Sequence, residues 1–263
     1  MRKIVLLLWL FYFIFPALSY AGAWVQEKGQ GLDIFGVRRY ESNQFWNSSG
    51  DQQSSPVYKK WELSNYVEYG LYDKLTVGFY ASGLQSHTNA NGTQTGDYDN
   101  SLFGRYLMWS GDSKVISFQA FVDALGAGVQ FNIPASNSHL NMGQSVLFGA
   151  SGQNEKKTIS WFIGSLTGIV ERFNAGNLAQ INFEGGVKFD DDTFWILMQS
   201  FNTLSLDHFD KPSGAPYNLY TLSSSVVYWF TKSIGIQVGM SQDVGGKNVG
   251  KGTSAFLAPW FKF

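Results

Sequence analysis

The sequence predicts an all-β protein: a transmembrane antiparallel up-and-down β-barrel of about 12 strands, following a cleaved signal peptide. Three observations predict it: an apolar leader, a side-chain period of two along most of the chain, and connections of alternating length. The 263 residues include 17% aromatic and only 15% charged residues. Soluble domains average about 25% charged residues, so this chain is short of ordinary surface chemistry.

The composition also excludes several functional classes. A chain this rich in aromatic residues is not disordered, and the absence of cysteine excludes a zinc–thiolate site, a disulfide scaffold and a cysteine nucleophile. The formal net charge of −1 gives no electrostatic footprint for nucleic acid. We therefore expect no nucleic-acid partner and no cofactor.

The first residues have the pattern of a secretory signal peptide. Arg2 and Lys3 precede an apolar run at 4–18, and Ser19-Tyr20-Ala21 then places small residues at both positions that signal peptidase reads. An anchoring helix is the alternative, but 15 residues are fewer than the roughly 20 that span a bilayer. Cleavage fits after Ala21 or after Ala23. The expected division is a signal peptide at 1–21 and an outer-membrane β-barrel at 22–263.

Strict alternation of apolar and polar side chains predicts the strands. From 233 to 241 every even position is aliphatic or Met, and every odd position is Gly, Ser or Gln. Such a period of two indicates strands with two chemically different faces. Continued along the chain, it predicts strands at 30–40, 57–71, 75–86, 98–109, 114–125, 142–151, 157–172, 178–189, 193–205, 217–230, 233–243 and 252–263.

The connections between these strands alternate in length. Short turns are expected at 72–74, 110–113, 152–156, 190–192 and 231–232, and long polar loops at 41–56, 87–97, 126–141, 206–216 and 244–251. Short turns on one side and longer loops on the other are typical of an outer-membrane barrel. A secreted β-sandwich is the alternative, but its loops follow no such rule. The polar face is largely Gly, Ser, Gln and Thr, which suits a confined interior.

The last predicted strand places Leu257, Phe261 and Phe263 on one face. It resembles the final strand of bacterial outer-membrane proteins, in which a terminal aromatic residue is the signal for barrel assembly. The resemblance implies that Phe261 and Phe263 form such a signal and that the barrel-assembly machinery is a partner. Pro259 stands on the outward face, and because proline is expected at edges or bulges, it predicts irregular pairing here.

A tight turn between the second and third predicted strands carries the residues VEYGLYDKLTVG at 67–78. A looser copy, VYWFTKSI, follows at 227–234. Both are similar to a hairpin of the outer-membrane proteins named after the phenol meta-degradation pathway. The resemblance implies an outer-membrane barrel, with transport as the leading expectation for its function, since some members of that family are thought to admit aromatic compounds. The motif itself is structural, with an apolar residue on each side of a tight turn.

Candidate catalytic residues are few. The three histidines, His87, His139 and His208, fall in predicted loops, and Asp207 and Asp210 flank His208. An outer-membrane hydrolase with a loop His/Asp site is therefore one alternative, although general-base chemistry needs a contact fixed at about 3 Å. A structural or adhesive barrel acting through its loops is the other. Asp190–Asp192 could bind a cation but fit a solvated turn better. We expect neither an enzyme nor a metal site.

If the apolar face meets lipid, the opposite face lines the lumen. Counted from the short turns, Glu68, Arg105 and Glu184 fall at similar heights. Confined charges must be paired or solvated, so they form either a neutralising network or part of a water-filled path. The residues expected to line the lumen are Lys60, Glu62, Tyr66, Glu68, Tyr80, Arg105, Asp123, Glu184 and Lys188. The working hypothesis is a monomer in the outer membrane, in contact with lipid, passing a small aromatic or amphipathic solute by passive diffusion.

Overall fold

The computed structural model shows a closed antiparallel β-barrel. It describes residues 22–89, 92–95, 99–125, 139–156, 158–172, 176–189, 193–206 and 216–263. The predicted signal peptide, the aspartates at 190–192 and the segment around His208 lie outside these residues. The strands are β1 (Gly31–Trp46), β2 (Gln52–Tyr72), β3 (Leu75–Asn89), β4 (Gly92–Thr95), β5 (Asp99–Ser110), β6 (Lys114–Leu125), β7 (His139–Gln153), β8 (Ile159–Arg172), β9 (Leu178–Phe189), β10 (Phe194–Ser205), β11 (Asn218–Trp229), β12 (Ile234–Lys247) and β13 (Val249–Lys262).

Each strand of the barrel wall pairs with its neighbours in sequence, and β1 pairs with β13 to close the ring. The short β4 only extends the hairpin that begins with β3, so twelve strands form the wall. The predicted fold class and up-and-down order are confirmed. Among the described residues, no helix has the length and apolar character needed to cross a membrane.

The predicted long loops at 41–56, 87–97 and 244–251 were wrong. β1 and β2 continue until only residues 47–51 separate them, and β3 continues to Asn89. Asn248 alone separates β12 from β13, with a φ of 50°, a left-handed conformation that Asn tolerates. The cause is common to all three: strand ends that rise beyond an apolar belt keep their backbone hydrogen bonds but need no apolar side chains. The polar composition of these stretches therefore belongs to extended hairpins and not to loops.

The two faces of the wall differ as the alternation predicted. Outward-facing Leu102 and Met240 are 64% and 63% exposed, whereas inward-facing Ser117 and Gln237 are almost fully enclosed. Large apolar side chains cover the outside on nearly every strand. An apolar surface of this extent suits acyl chains, since soluble monomers rarely expose large contiguous apolar patches.

The irregular pairing expected at Pro259 is present on the side of β1, where the ladder is interrupted between Ile34–Trp260 and Val37–Leu257 without a shift of register. Pro259 stands opposite Ile236 of β12, and the register to β1 is the same on both sides of it. Proline removes one donor from a ladder and leaves the remaining bonds in place.

Beyond β13, the Phe263 ring stacks on Tyr69, with centroids 6.5 Å apart. The role of Phe261 and Phe263 in assembly stays a prediction.

Candidate functional site

Residues 22–30 form the N-terminal segment at the end of the barrel that carries the short turns; residues 22–26 lie inside the lumen, and residues 27–30 are exposed. Three inward side chains from different strands hold its backbone. Ser117 of β6 donates to the Ala23 carbonyl at 2.6 Å, and Arg105 of β5 donates to the Trp24 carbonyl at 3.0 Å. The Gln26 amide donates to Thr76 Oγ1 at 2.7 Å. The segment therefore crosses the lumen from β6 towards β3.

The N-terminal segment also packs against the wall at its beginning and is hydrogen-bonded to the wall at its end. Ala23 and Trp24 pack against a buried cluster of Val115, Leu147 and Leu166, and the Trp24 ring meets Phe162 edge-on. Where the segment joins β1, Gly29 donates to the Gly70 carbonyl at 2.9 Å. A Cβ on Gly70 would overlap the Glu27 carbonyl oxygen, so this position of the hairpin motif needs glycine.

Arg105 is the centre of a buried polar network and is 1% exposed. Its guanidinium donates to Glu68 Oε2 at 3.3 Å, to Tyr66 Oη at 3.4 Å and to Gln119 Oε1 at 3.1 Å, besides the Trp24 carbonyl. The Tyr66 hydroxyl also donates to Glu68 Oε2, at 2.7 Å.

The same network ties the N-terminal segment to the wall. The Gln26 side-chain amide donates to Glu68 Oε1, so both oxygens of that carboxylate are bonded. A buried ion is tolerated when its charge and its hydrogen-bonding groups are matched in this way. At this height, the charged residues of the lumen form a network that holds a peptide segment.

A cavity of about 740 Å³ lies between this network and the short turns, and we call it the turn-side cavity. Glu68, Arg105, Glu184 and Gln199 line its inner end. Lys188 and Lys262 line it near the opening, and Trp24, Phe162, Trp195 and Trp260 contribute aromatic rings to its walls. Gln199 hydrogen-bonds Glu184. The cavity thus combines apolar walls with charged groups at both ends.

Three tryptophans cluster at one side of this cavity. Trp195 and Trp260 line it, and Trp229 packs behind both. The ring centroids of Trp195, Trp229 and Trp260 are 5.7 to 5.9 Å apart. Lys188 Nζ lies 4.3 Å from the Trp195 ring, and Lys262 Nζ lies 3.8 Å from the Trp229 ring. The buried Trp229 N–H has no hydrogen-bond partner among the described residues.

A second cavity, of about 330 Å³, lies in the opposite half of the lumen, and we call it the loop-side cavity. Lys60 pairs with Glu62 at 2.8 Å there, and the Tyr40 hydroxyl donates to Asp243 Oδ2 at 2.9 Å. The two linings share no residue among those described. Between them is a buried apolar layer made by Tyr66, Phe103, Val227 and Ala258.

The lumen residues expected from the sequence therefore fall into distinct groups. Glu68, Arg105, Glu184 and Lys188 line the turn-side cavity. Lys60 and Glu62 line the loop-side cavity, where the Tyr80 hydroxyl donates to Glu62 Oε1 at 3.5 Å. Tyr66 belongs to the layer between them, and Asp123 lies on the inward row of β6 without lining either cavity.

Sequence reasoning missed the N-terminal segment and the three indoles. Side-chain parity could have placed Trp229 and Trp260 inward, since they have the same parity as the inward Ser225 and Ser254 on their own strands. Trp195 lies in a stretch that is apolar on both faces, so its phase was ambiguous. The N-terminal segment shows no alternation, because it is not a strand of the wall.

The residues of the hydrolase alternative are mostly not placed. His208 and its neighbouring aspartates lie outside the described residues, as do Asp190–Asp192. His87 and His139 fall in β3 and at the start of β7, not in loops. Within the described part of the chain, no group of three or more His, Asp or Glu could hold a metal ion.

Solved structures share this architecture, although no family model and no curated protein matches the chain. An outer-membrane channel from Pseudomonas putida F1 superposes with a TM-score of 0.65 at 12% identity, covering 94% of this chain and 100% of that one. The beta domain of the Bordetella autotransporter BrkA gives 0.53 at 10% identity, covering 90% and 100%. The NanC porin gives 0.51 at 13% identity, covering 87% and 100%. The likeness is one of fold, the outer-membrane β-barrel.

Proposed function

We propose that this protein is a monomeric barrel of the bacterial outer membrane that passes a small aromatic or amphipathic solute by passive diffusion. The turn-side cavity carries the proposal. Its volume, about 740 Å³, is typical of small-molecule sites, and its indole walls with lysines near the opening match a solute that is apolar over most of its surface.

Two further observations support the membrane part of the proposal. The outside of the barrel is covered by exposed large apolar residues, which suits lipid as its partner. The fold is shared with an outer-membrane channel and a porin. The proposal assigns the protein no enzymatic activity, and the barrel-assembly machinery and the solute are its other partners.

Conductance and solute uptake test the proposal directly. Purified protein in planar bilayers is expected to give discrete conductance steps, and proteoliposomes are expected to take up a phenol or benzoate faster than a sugar of similar mass. Empty liposomes serve as the control. A folded barrel that neither conducts nor raises uptake of any of these solutes would overturn it. Equal uptake of sugar and aromatic solute would remove the aromatic preference alone.

A further inference from the structure

Gly22, at the start of the described chain, lies beside the carboxylate of Glu184. A Cβ on Gly22 would be 3.2 Å from Glu184 Oε1. The Gly22 nitrogen is about 2.5 Å from that Cβ position by standard bond geometry, so it lies within about 6 Å of Oε1. Both residues line the inner end of the turn-side cavity. The Glu184 carboxylate therefore faces the N-terminal segment across a confined space.

The Glu184 carboxylate is closely surrounded, and it fits there because the facing residues are glycines. Gly164 stands opposite on β8, and a Cβ there would be only 2.7 Å from Oε1. Gln199 hydrogen-bonds Glu184, and the charged groups that act on it through space are Arg105 and Glu68. Arg105, however, directs hydrogen bonds to Glu68, Tyr66, Gln119 and the Trp24 carbonyl. A confined carboxylate is stabilised by a further opposite charge within about 4–6 Å.

The sequence supplies such a cation. Hydrolysis of the Ala21–Gly22 peptide bond by signal peptidase consumes one water and leaves a carboxylate on Ala21 and an ammonium group on Gly22. Cleavage after Ala23 would instead remove a residue that is 1% exposed and whose carbonyl accepts the Ser117 hydrogen bond. The contacts of the folded chain thus use Ala23 and place Gly22 at Glu184.

We propose that the mature chain begins at Gly22 and that its α-ammonium group binds the Glu184 carboxylate inside the lumen. The N-terminal segment is then fixed at both ends, by this ion pair on β9 and by the Gly70 contacts on β2. It forms a strap across the inner end of the turn-side cavity. Glu184 acts as a receptor for a primary ammonium group that belongs to the chain itself.

The mature terminus and its reactivity test the proposal. The full chain is expressed with its leader, and the mass of the purified folded protein is expected to correspond to a start at Gly22. The folded protein is then treated at neutral pH with a water-soluble acetylating reagent. Acetylation of the α-amine is measured by peptide mass spectrometry relative to the exposed Lys28. The wild-type α-amine is expected to react about tenfold more slowly than that of Glu184→Gln, because the ion pair keeps it protonated.

Controls separate the ion pair from general effects. Glu171→Gln removes an exposed carboxylate from the outer face of β8 and is expected to react like the wild type. If Glu184→Gln does not form a heat-modifiable barrel, the pH dependence of α-amine acetylation is measured on native wild-type protein, and the pKa of the α-amine is expected above its ordinary value, since burial without an ion pair would lower it. Equal α-amine rates in wild type and Glu184→Gln, a pKa that is not raised, or a mature start at any other residue overturns the proposal. Neither result depends on whether a solute crosses the barrel.

Discussion

The two halves of the lumen hold confined charge in different ways. On the turn side, Arg105 is 1% exposed and is matched by Glu68, by other side chains and by a backbone carbonyl of the N-terminal segment. On the loop side, the side chains of Lys60 and Glu62 are 25% and 10% exposed and pair at 2.8 Å beside an open cavity. Removing one partner of a buried pair is severe, whereas a pair in contact with water is replaceable. The charged network of the turn side is therefore structural, whereas the charged pair of the loop side can tune ion preference.

Arg105→Ala is expected to have the largest effect on this contrast. It leaves the buried Glu68 carboxylate without its counter-ion and frees the Trp24 carbonyl, so the free energy of unfolding should fall by about 3–5 kcal/mol. Guanidinium titration in detergent micelles, followed by tryptophan fluorescence, measures it. The control is Arg39→Ala on the outer face, whose pair with Glu41 is half exposed and is worth less than about 1 kcal/mol. Equal losses of unfolding free energy in the two variants would contradict the structural role of the buried Arg105 network.

Deleting residues 24–28 should open the turn side without touching the wall. The predicted cleavage sites remain, while the contacts to Arg105, Thr76 and Glu68 are lost. Single-channel conductance in planar bilayers is expected to rise about twofold or more, since a peptide no longer crosses the lumen. An unchanged conductance from a folded barrel would mean that the segment does not restrict the path.

Trp195→Ala should weaken solute binding on the turn side. Loss of one stacking indole is expected to reduce affinity for a phenol or benzoate by about tenfold, which corresponds to about 1.4 kcal/mol. Solute-induced block of conductance gives the affinity. Trp61→Ala, which removes an exposed indole from the outer face, provides the matched control. If both variants bind solute equally well, the indole wall is not part of the site.

Lys60→Ala is the smallest expected perturbation, and it concerns the loop side. Stability should change by no more than about 1 kcal/mol, because the pair with Glu62 is partly solvated. Loss of a positive charge from the loop-side cavity should shift the reversal potential in a salt gradient towards cation preference. Lys59→Ala, on the outer face, should leave it unchanged. A large loss of stability instead would show that the Lys60–Glu62 pair is structural, as the Arg105 network is on the turn side.

Much of the wall could be predicted from alternation, and the contents of the lumen could not. In β12 the period of two assigned Gln237 and Val238 to opposite faces, and their burial agrees. The same parity predicted inward positions for Glu68, which lies between Val67 and Tyr69, and for Arg105, which precedes the outward Tyr106. Alternation does not tell which inward residues of different strands lie at the same height in the barrel. The hydrogen bonds of Arg105 to Gln119 and to the Trp24 carbonyl therefore could not be predicted.

The features that could not be predicted from the sequence were missed for physical reasons. The N-terminal segment is held partly through its backbone carbonyl and amide groups, which every residue possesses, and its side-chain contacts from Ala23, Trp24 and Gln26 follow no period. The stretch 244–251 is rich in Gly and Lys, a composition typical of loops, yet β12 and β13 continue through it. Strand ends outside lipid are selected for backbone pairing and solubility, and alternation disappears there.

The seam between β1 and β13 has a consequence for how the protein reaches this state. Leu32 stands opposite Lys262, so the pairing that closes the ring joins the first and the last strand of the wall. Contacts this distant in sequence form slowly. The N-terminal segment runs directly into β1, and Gly31 exchanges backbone hydrogen bonds with Phe263 at the seam. Ring closure therefore fixes the point from which the segment enters the lumen, and an unclosed intermediate is expected to carry that segment loose and open to proteases.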